Sequence, residues 1–301
     1  MVDAIDSKSI IRKDVEVRVL SLAQKERMQK LIIIAGPTAT GKSDAAVKLA
    51  QEINGEIISA DSRQVYSGLD IGSGKITKEE MKGIPHHLLD VASPREPFSV
   101  AQYKELADTA VKDIITRGKT PIIVGGTWFY IDAIICDTIF PAVAPNHALR
   151  KDLHEKPIEE LLTQLHTLDP RRYDLIDKHN RVRIVRAIEI ALALGSVPEL
   201  EQKNPTYDIE WRYTDLPDEE LKERIHTRLI KRIDSGMIEE VSKLHADGLS
   251  WDRLESFGLE YRYVAEYLQD KHTKEDMLAM LERAIWQYVK RQRTWFKKYA
   301  K

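Results

Sequence analysis

A single cysteine, Cys136, stands among the 301 residues. One thiol cannot close a disulfide within the chain or build a cysteine-rich zinc module, and it suits a reducing compartment. Long apolar runs are missing as well. No stretch approaches the roughly 20 residues that a membrane span requires, and the opening "MVDAIDSKSI" has no apolar core of a secretory signal. The expectation is a cytoplasmic protein with no membrane attachment. A dominant charge is also lacking: the net charge is −2, so the whole molecule carries no nucleic-acid signature. Acidic residues are absent from Arg283 to Lys301, where Arg283, Lys290, Arg291, Arg293, Lys297, Lys298 and Lys301 are all basic. Such a segment is either a solvated helix face or a surface for a polyanion.

What is present is an α/β pattern. The length allows about two domains, or one core carrying an insertion. Three short apolar runs read as buried parallel strands: "LIIIA" (31–35), "EIISA" (56–60) and "PIIVGG" (121–126). A helical pattern from Lys42 to Ile53 stops at Asn54-Gly55. Another opens at Ser99 with Gln102 three residues on, a capping box with Phe98 ahead as a hydrophobic staple, and ends at Gly118. Beyond Pro141 the prolines of "PAVAPNHALR" mark a connector, followed by helices over 157–168 and 181–194. "DIEWRYTDL" (208–216) reads as a returning strand, and Pro217 opens a helical region reaching nearly to Lys301. The fold expected is a P-loop NTPase-like parallel sheet flanked by helices. Its core occupies 31–139 and 201–301, with a helical C-terminal part and a helical insertion at 140–200. Residues 1–30 read as a charged tail in which "VEVRVL" (Val15–Leu20) can add an edge strand.

The first strand runs into Gly36-Pro37-Thr38-Ala39-Thr40-Gly41-Lys42-Ser43, the P-loop pattern of nucleotide-binding proteins in its required place between strand and helix. Glycines let the backbone wrap an anion and aim N–H groups at it from a helix N-terminus. Lys42 can reach terminal phosphates, and the Ser43 hydroxyl is a candidate ligand for Mg²⁺. The pattern names a class of ligand, not a reaction. P-loop ATPases add an acidic residue at the end of a core strand to hold the metal. Here the third run ends in Gly125-Gly126-Thr127, without a carboxylate. A carboxylate follows the second run instead, in Asp61-Ser62-Arg63-Gln64. Parallel sheets bind ligands beyond their carboxyl edge, so Asp61 and Thr127 belong near the loop. From position alone Asp61 is a metal ligand, a general base or a helix cap. His86-His87 has no further ligands at useful spacing and reads as a turn or packing pair.

In order along the chain stand "GPTATGKS", "DSRQVY", "GLDIGSGK", "PHHLLD", "FSVAQY", "VGGTWFY", "RVRIVRAIEI", "RIHTRLIKRIDSGMIEEV" and "KRQRTWF". This series, from Leu31 to Phe296, resembles the tRNA dimethylallyltransferase family, also called tRNA isopentenyltransferases. The resemblance implies transfer of a dimethylallyl group from dimethylallyl pyrophosphate to N6 of adenine 37, beside the tRNA anticodon. The loop would then hold pyrophosphate as a leaving group. By the same resemblance Asp61 would accept the N6 proton and Thr127 would position the amine. Lys42, Ser43 with Mg²⁺, and Arg228 would neutralise the pyrophosphate. Asp61, Ser62, Arg63 and Gln64 would meet the flipped adenine and its neighbours. Arg150 and the stretch Val182, Arg183, Ile184, Val185 and Arg186 would contact the anticodon loop. Without the resemblance that stretch reads first as an exposed amphipathic face, since its aliphatic residues supply packing. In the C-terminal segment the aromatic residues are expected inward and the cations outward toward RNA. A monomer is expected, with the tRNA anticodon stem-loop and dimethylallyl pyrophosphate as its partners. The chain departs from the family pattern at Ser73, where threonine is common, at Leu259, where an aromatic is common, and at Trp286, where arginine is usual.

Overall fold

A computed structural model describes residues 28–201, 207–297 and 299. The 15–20 run, most of the expected tail, Lys298 and Lys301 lie outside the described residues. The described chain divides into two compact units, 28–137 with 207–299, and 138–201.

In the first unit the elements are β1 (Gln29–Ala35), α1 (Lys42–Ile53), β2 (Gly55–Ala60), α2 (Lys78–Met81), β3 (His86–His87), α3 (Val100–Thr116), β4 (Thr120–Gly125) and α4 (Trp128–Ile135). The second unit holds α5 (His147–Glu155), α6 (Ile158–Leu168), α7 (Pro170–Leu175) and α8 (Arg181–Leu194). The first unit resumes with β5 (Tyr207–Tyr213), α9 (Asp218–Asp234), α10 (Met237–Ala246), α11 (Trp251–Ser256), α12 (Leu259–Leu268) and α13 (Lys274–Phe296). The five strands form one sheet in the order β3-β2-β4-β1-β5, and every pairing is parallel.

The central strands β1, β2 and β4 are apolar over most of their length because both faces of the sheet are covered there. Side chains alternate across a strand. Leu31, Ile33 and Ala35 therefore enter one core cluster, with Tyr103, Val111 and Ile131. Ile32 and Ile34 enter the other, with Ala46, Val47 and Ala50 of α1. Local signals set the helix ends. α1 stops at Asn54, which takes the left-handed conformation at φ 53°. α3 starts from the reciprocal Ser99–Gln102 box: the serine hydroxyl accepts from Gln102 N at 3.2 Å, and the glutamine carbonyl accepts from Ser99 N at 2.9 Å. Where a connector was expected, α5 forms, because Asn146 caps it by accepting from Leu149 N at 3.0 Å. Among the described residues no helix is long and apolar enough to cross a membrane.

The second unit has its own core, built from Leu161 and Leu165 of α6 and Ile184, Ile188 and Ala191 of α8.

β2 carries one charge inside its apolar run. Glu56 is 1% exposed. Arg117 and Lys119 bind its carboxylate, Lys119 at 2.7 Å, and His87 on β3 meets it at 2.8 Å. The His86-His87 pair is thus a short edge strand with one imidazole on this cluster. The Arg117 hydrogen bonds, ahead of burial, hold the Glu56 carboxyl well below the usual carboxylate range. Stability from a depressed carboxylate is full above its unfolded value near pH ~4.3 and is lost as pH falls below it. Glu56→Ala is expected to cost about 2 kcal/mol, less than a fully buried pair because Arg117 and Lys119 reach solvent. Denaturant unfolding from pH 6 to 3 should show the wild type losing stability more steeply than Glu56→Gln; parallel curves would refute the assignment.

Candidate active site

The register of three strands places the site. Ala35 of β1 pairs with Gly125 of β4, and Gly125 pairs with Ala60 of β2. These are the last pairs of each ladder. Neighbouring strands lie roughly 4.8 Å apart, so the segments starting at Gly36, Gly126 and Asp61 leave one edge of the sheet side by side.

The first segment is the phosphate loop. Gly36 leaves β1 at φ 154°, and a Cβ there would stand 2.1 Å from the Thr214 carbonyl oxygen beyond β5, so only glycine fits. Thr40 is buried; its hydroxyl donates to Pro37 O at 2.9 Å and shares a 2.9 Å hydrogen bond with the Thr214 hydroxyl. Gly41, left-handed at φ 83°, turns the chain into α1, so Lys42 and Ser43 occupy its first turn. Ser43 is exposed. Lys42 Nζ donates to Pro37 O, and Arg228 of α9 donates to Thr38 Oγ1 at 2.5 Å. Burial, and then the Arg228 charge, push the Lys42 ammonium down to about 7, against the opposing pull of Asp61 and Asp215. Arg228 is lowered too, by burial and then by Arg232. Two crowded cations that donate to neutral oxygens make a site primed for an anion.

The second segment is Asp61 to Gln64. Asp61 Oδ1 accepts from Arg63 N at 2.8 Å and Gln64 N at 3.3 Å, so its carboxylate does cap a turn. This use occupies one carboxylate oxygen. The Gln64 side chain is half-buried and bridges Ser59 Oγ at 3.1 Å and Gly74 O at 3.2 Å. In the third segment Thr127 N donates to Ala60 O at 3.0 Å, and Thr127 Oγ1 accepts from Ser62 N at 3.0 Å. Thr127 therefore fastens the Asp61 turn to the end of β4.

A cleft of about 620 Å³ extends from Thr38 past Asp61 and Arg63 to Tyr263, Tyr288 and Arg291. Its far wall includes Phe257 and Leu259, at one of the positions where the sequence departs from the family pattern. Ser73, another such position, donates its N–H to Tyr261 OH at 3.1 Å. The hydroxyl of Tyr261 in turn donates to Glu240, whose carboxylate also accepts the N–H groups of Asp70, Ile71 and Gly72. "GLDIGSGK" is thus a loop wrapped around one carboxylate.

The remaining candidates lie in the second unit. Ile184 and Val185 are in its core, while Val182 is 71% exposed and Arg183 is exposed. Arg150 and Arg186 both bind Glu189, which is 2% exposed; Arg150 meets it at 2.7 Å. The side chains of Ile184 and Val185 are packing residues, and any contact they make with RNA is through the helix they hold in place. In the C-terminal segment Trp295 stacks on Trp128 at 4.3 Å and Phe296 is buried, while Arg283, Lys290, Arg291 and Lys297 are exposed. Among the described cations of the segment Arg293 is the exception, bound to Asp215 at 2.9 Å and Asp218 at 2.5 Å. Trp286 has Lys222 over its ring at 5.3 Å.

A model of the IPP transferase family matches residues 64–299. The chain belongs to the IPP transferase family. Among the family's members, the chain is 43% identical to the "tRNA dimethylallyltransferase 2" of Citrifermentans bemidjiense, over 91% of this chain and 88% of that protein. It is also 43% identical to the protein of the same name from Treponema denticola, over 94% and 95%. A solved relative, the full-length tRNA isopentenylpyrophosphate transferase of Bacillus halodurans, is 36% identical with a TM-score of 0.67, over 90% of this chain and 88% of that one.

Sequence reading alone passed over Gln292, and took Tyr288 only as one of the inward aromatics of the C-terminal segment. Gln292 was detectable: it is an amide on the stripe Leu281, Ile285, Val289 and Phe296, whose other members are apolar and buried.

An anion in this family member's loop should return Lys42 toward its ordinary value. Binding then takes up a proton above pH 7, so affinity for inorganic pyrophosphate is expected to fall as pH rises from 7 to 9. Calorimetry in buffers of different ionisation enthalpy should read this uptake, and Lys42→Met should abolish it. Proton release on binding to the wild type would contradict the electrostatic reading.

Proposed function

We propose that this cleft transfers a dimethylallyl group from dimethylallyl pyrophosphate to N6 of adenine 37 in the anticodon loop of tRNA. The observation that carries the reading is the shared edge of β1, β4 and β2, which sets a phosphate loop beside an Asp61–Thr127 pair and no acidic residue at the end of β4. A loop that releases pyrophosphate, with no phosphoanhydride to hydrolyse, has no need of that acid.

The reaction breaks the allylic C–O bond, and its electron pair leaves with the pyrophosphate. The N6 lone pair forms the new C–N bond, and the N6 proton passes to the Asp61 carboxylate. Negative charge grows on the leaving group, and Lys42, Arg228 and the N–H groups at the start of α1 are the donors that would meet it. Thr38 N and Pro37 are committed elsewhere or lack a donor, so the cradle is the stretch from Ala39 to Ser43. Asp61 Oδ1 is held by two N–H groups, which fixes the carboxylate's direction and leaves the second oxygen for the amine. Thr127, bonded to the same turn, stands where it can orient that amine.

Mg²⁺ fits the donor set. Among the described residues no group of three or more acidic, histidine or cysteine side chains forms a cage. An ion of this kind needs only one or two protein oxygens when a pyrophosphate supplies others, and Ser43 offers an exposed hydroxyl at the loop. When bound, it supplies positive charge to the pyrophosphate oxygens.

RNA reaches the cleft as an extruded base, as in other enzymes that modify bases. Arg63, Arg291, Tyr263 and Tyr288 on the wall offer cations and rings to an unstacked loop. In the second unit Arg183 is a candidate for phosphate contact, whereas Arg150 and Arg186 contribute what Glu189 leaves free. One chain carries every residue named, so a monomer is sufficient.

Purified protein given dimethylallyl pyrophosphate and an anticodon stem-loop should yield N6-dimethylallyladenosine by mass spectrometry. Product with AMP and none with the stem-loop would overturn the RNA assignment. Asp61→Asn keeps an oxygen to cap the turn but removes the base. It is expected to lower single-turnover rate by about 10²–10⁴-fold with RNA affinity retained. A fully active Asp61→Asn would reduce Asp61 to its cap. Arg183→Ala should weaken stem-loop binding and reduce the slope of log affinity against log salt by about one.

A further inference from the structure

Where the β1–β4 ladder ends at Ala35 and Gly125, the two backbones stop bonding to each other. A side chain takes over the pairing one step beyond. Gln292 of α13 is 2% exposed, although the other inward positions of its helix are apolar. Its Oε1 accepts from Thr38 N at 3.0 Å, and its Nε2 donates to Gly126 O at 3.2 Å. Thr38 N–H can only donate and the Gly126 carbonyl can only accept, so one orientation of the amide satisfies both. The amide thus acts as a surrogate rung between the phosphate loop and the segment bearing Thr127. Gly126 must be glycine for this to occur, because a Cβ there would lie 2.3 Å from Nε2. Tyr288, one turn earlier on α13 and on the cleft wall, donates its hydroxyl to the same Gly126 oxygen at 3.2 Å.

We propose that Gln292 is a positioning residue that sets the separation between the pyrophosphate cradle and the Asp61–Thr127 pair. The connection is continuous. Thr38, which also receives Arg228, is joined through the Gln292 amide to Gly126; the next residue, Thr127, holds Ser62 and so the Asp61 turn. The two ends carry the opposite partners of one reaction, the leaving group and the base. A displacement of about 1 Å between them can cost on the order of 10²-fold in rate, while each end keeps its own binding contacts. This inference rests on the prenyl-transfer reading, and the experiment separates the two.

The wild type is first shown to prenylate the stem-loop; failure there sinks the reaction and not the geometry. Gln292→Met, which keeps length and burial but not the hydrogen bonds, is expected to lower single-turnover rate about 10²-fold. The donor KM and RNA affinity should stay within about threefold of wild type, since no substrate contact is removed. Val289→Ala, one turn earlier in the same buried stripe, controls for destabilisation and should keep the wild-type rate. Gln292→Glu keeps the acceptor for Thr38 N but sets a second oxygen against Gly126 O until the introduced carboxyl is protonated. Its rate relative to wild type should therefore recover as pH falls. A wild-type rate for Gln292→Met, an equal loss for Val289→Ala at matched stability, or a flat relative pH profile for Gln292→Glu would each overturn the proposal.

Discussion

Ala35, Gly125 and Ala60 lie in one hydrogen-bonded row, and the rest of the site is hung from that row. Parallel pairing fixes both the spacing of the three strands and the level at which they end. The ladder itself is held by apolar burial on both faces, since alternate residues of β1 enter two different core clusters. The geometry of the candidate site is thereby referred to the buried sheet, although Lys42, Asp61 and Thr127 stand on loops or at a helix end and Arg228 in the middle of α9.

Charge is handled in two ways. Glu56 and Glu189 are carboxylates inside the protein, and each is met by two cationic side chains. Such clusters are internally compensated and serve the architecture. At the cleft the balance is left incomplete: Lys42 and Arg228 donate to Pro37 O and Thr38 Oγ1, which are neutral, and burial lowers both groups. In the proposed reaction a pyrophosphate would supply the missing charge. The same electrostatics explains why the cradle would bind the leaving group more strongly as its negative charge develops.

Much of the framework could be read locally. The apolar runs gave β1, β2 and β4, the Ser99–Gln102 box gave the start of α3, and Gly195 ends α8 in the left-handed conformation. The loop from Gly36 to Ser43 was legible because glycines, lysine and serine act through fixed offsets along a few residues. Asp61 was found by position, but its cap role and its proposed role as base were alternatives until the hydrogen bonds showed one oxygen in the turn. Arg150 and Arg186 were expected, from the resemblance, to meet the anticodon loop; a buried glutamate on the same unit binds both, a pairing that spacing did not reveal.

What the amino-acid order determined by itself was the set of local states: which runs are strands, where helices begin, and that one turn is built for phosphate. These depend on interactions within a few residues, so their signal survives in spacing and residue type. Only the tertiary structure decided which side chains serve the loop. Thr38 and Gln292 are 254 positions apart, and Thr38 and Arg228 are 190 apart. No periodicity links such pairs. They meet because hydrophobic burial folds α9 and α13 against the sheet, and a buried amide there must find a donor and an acceptor.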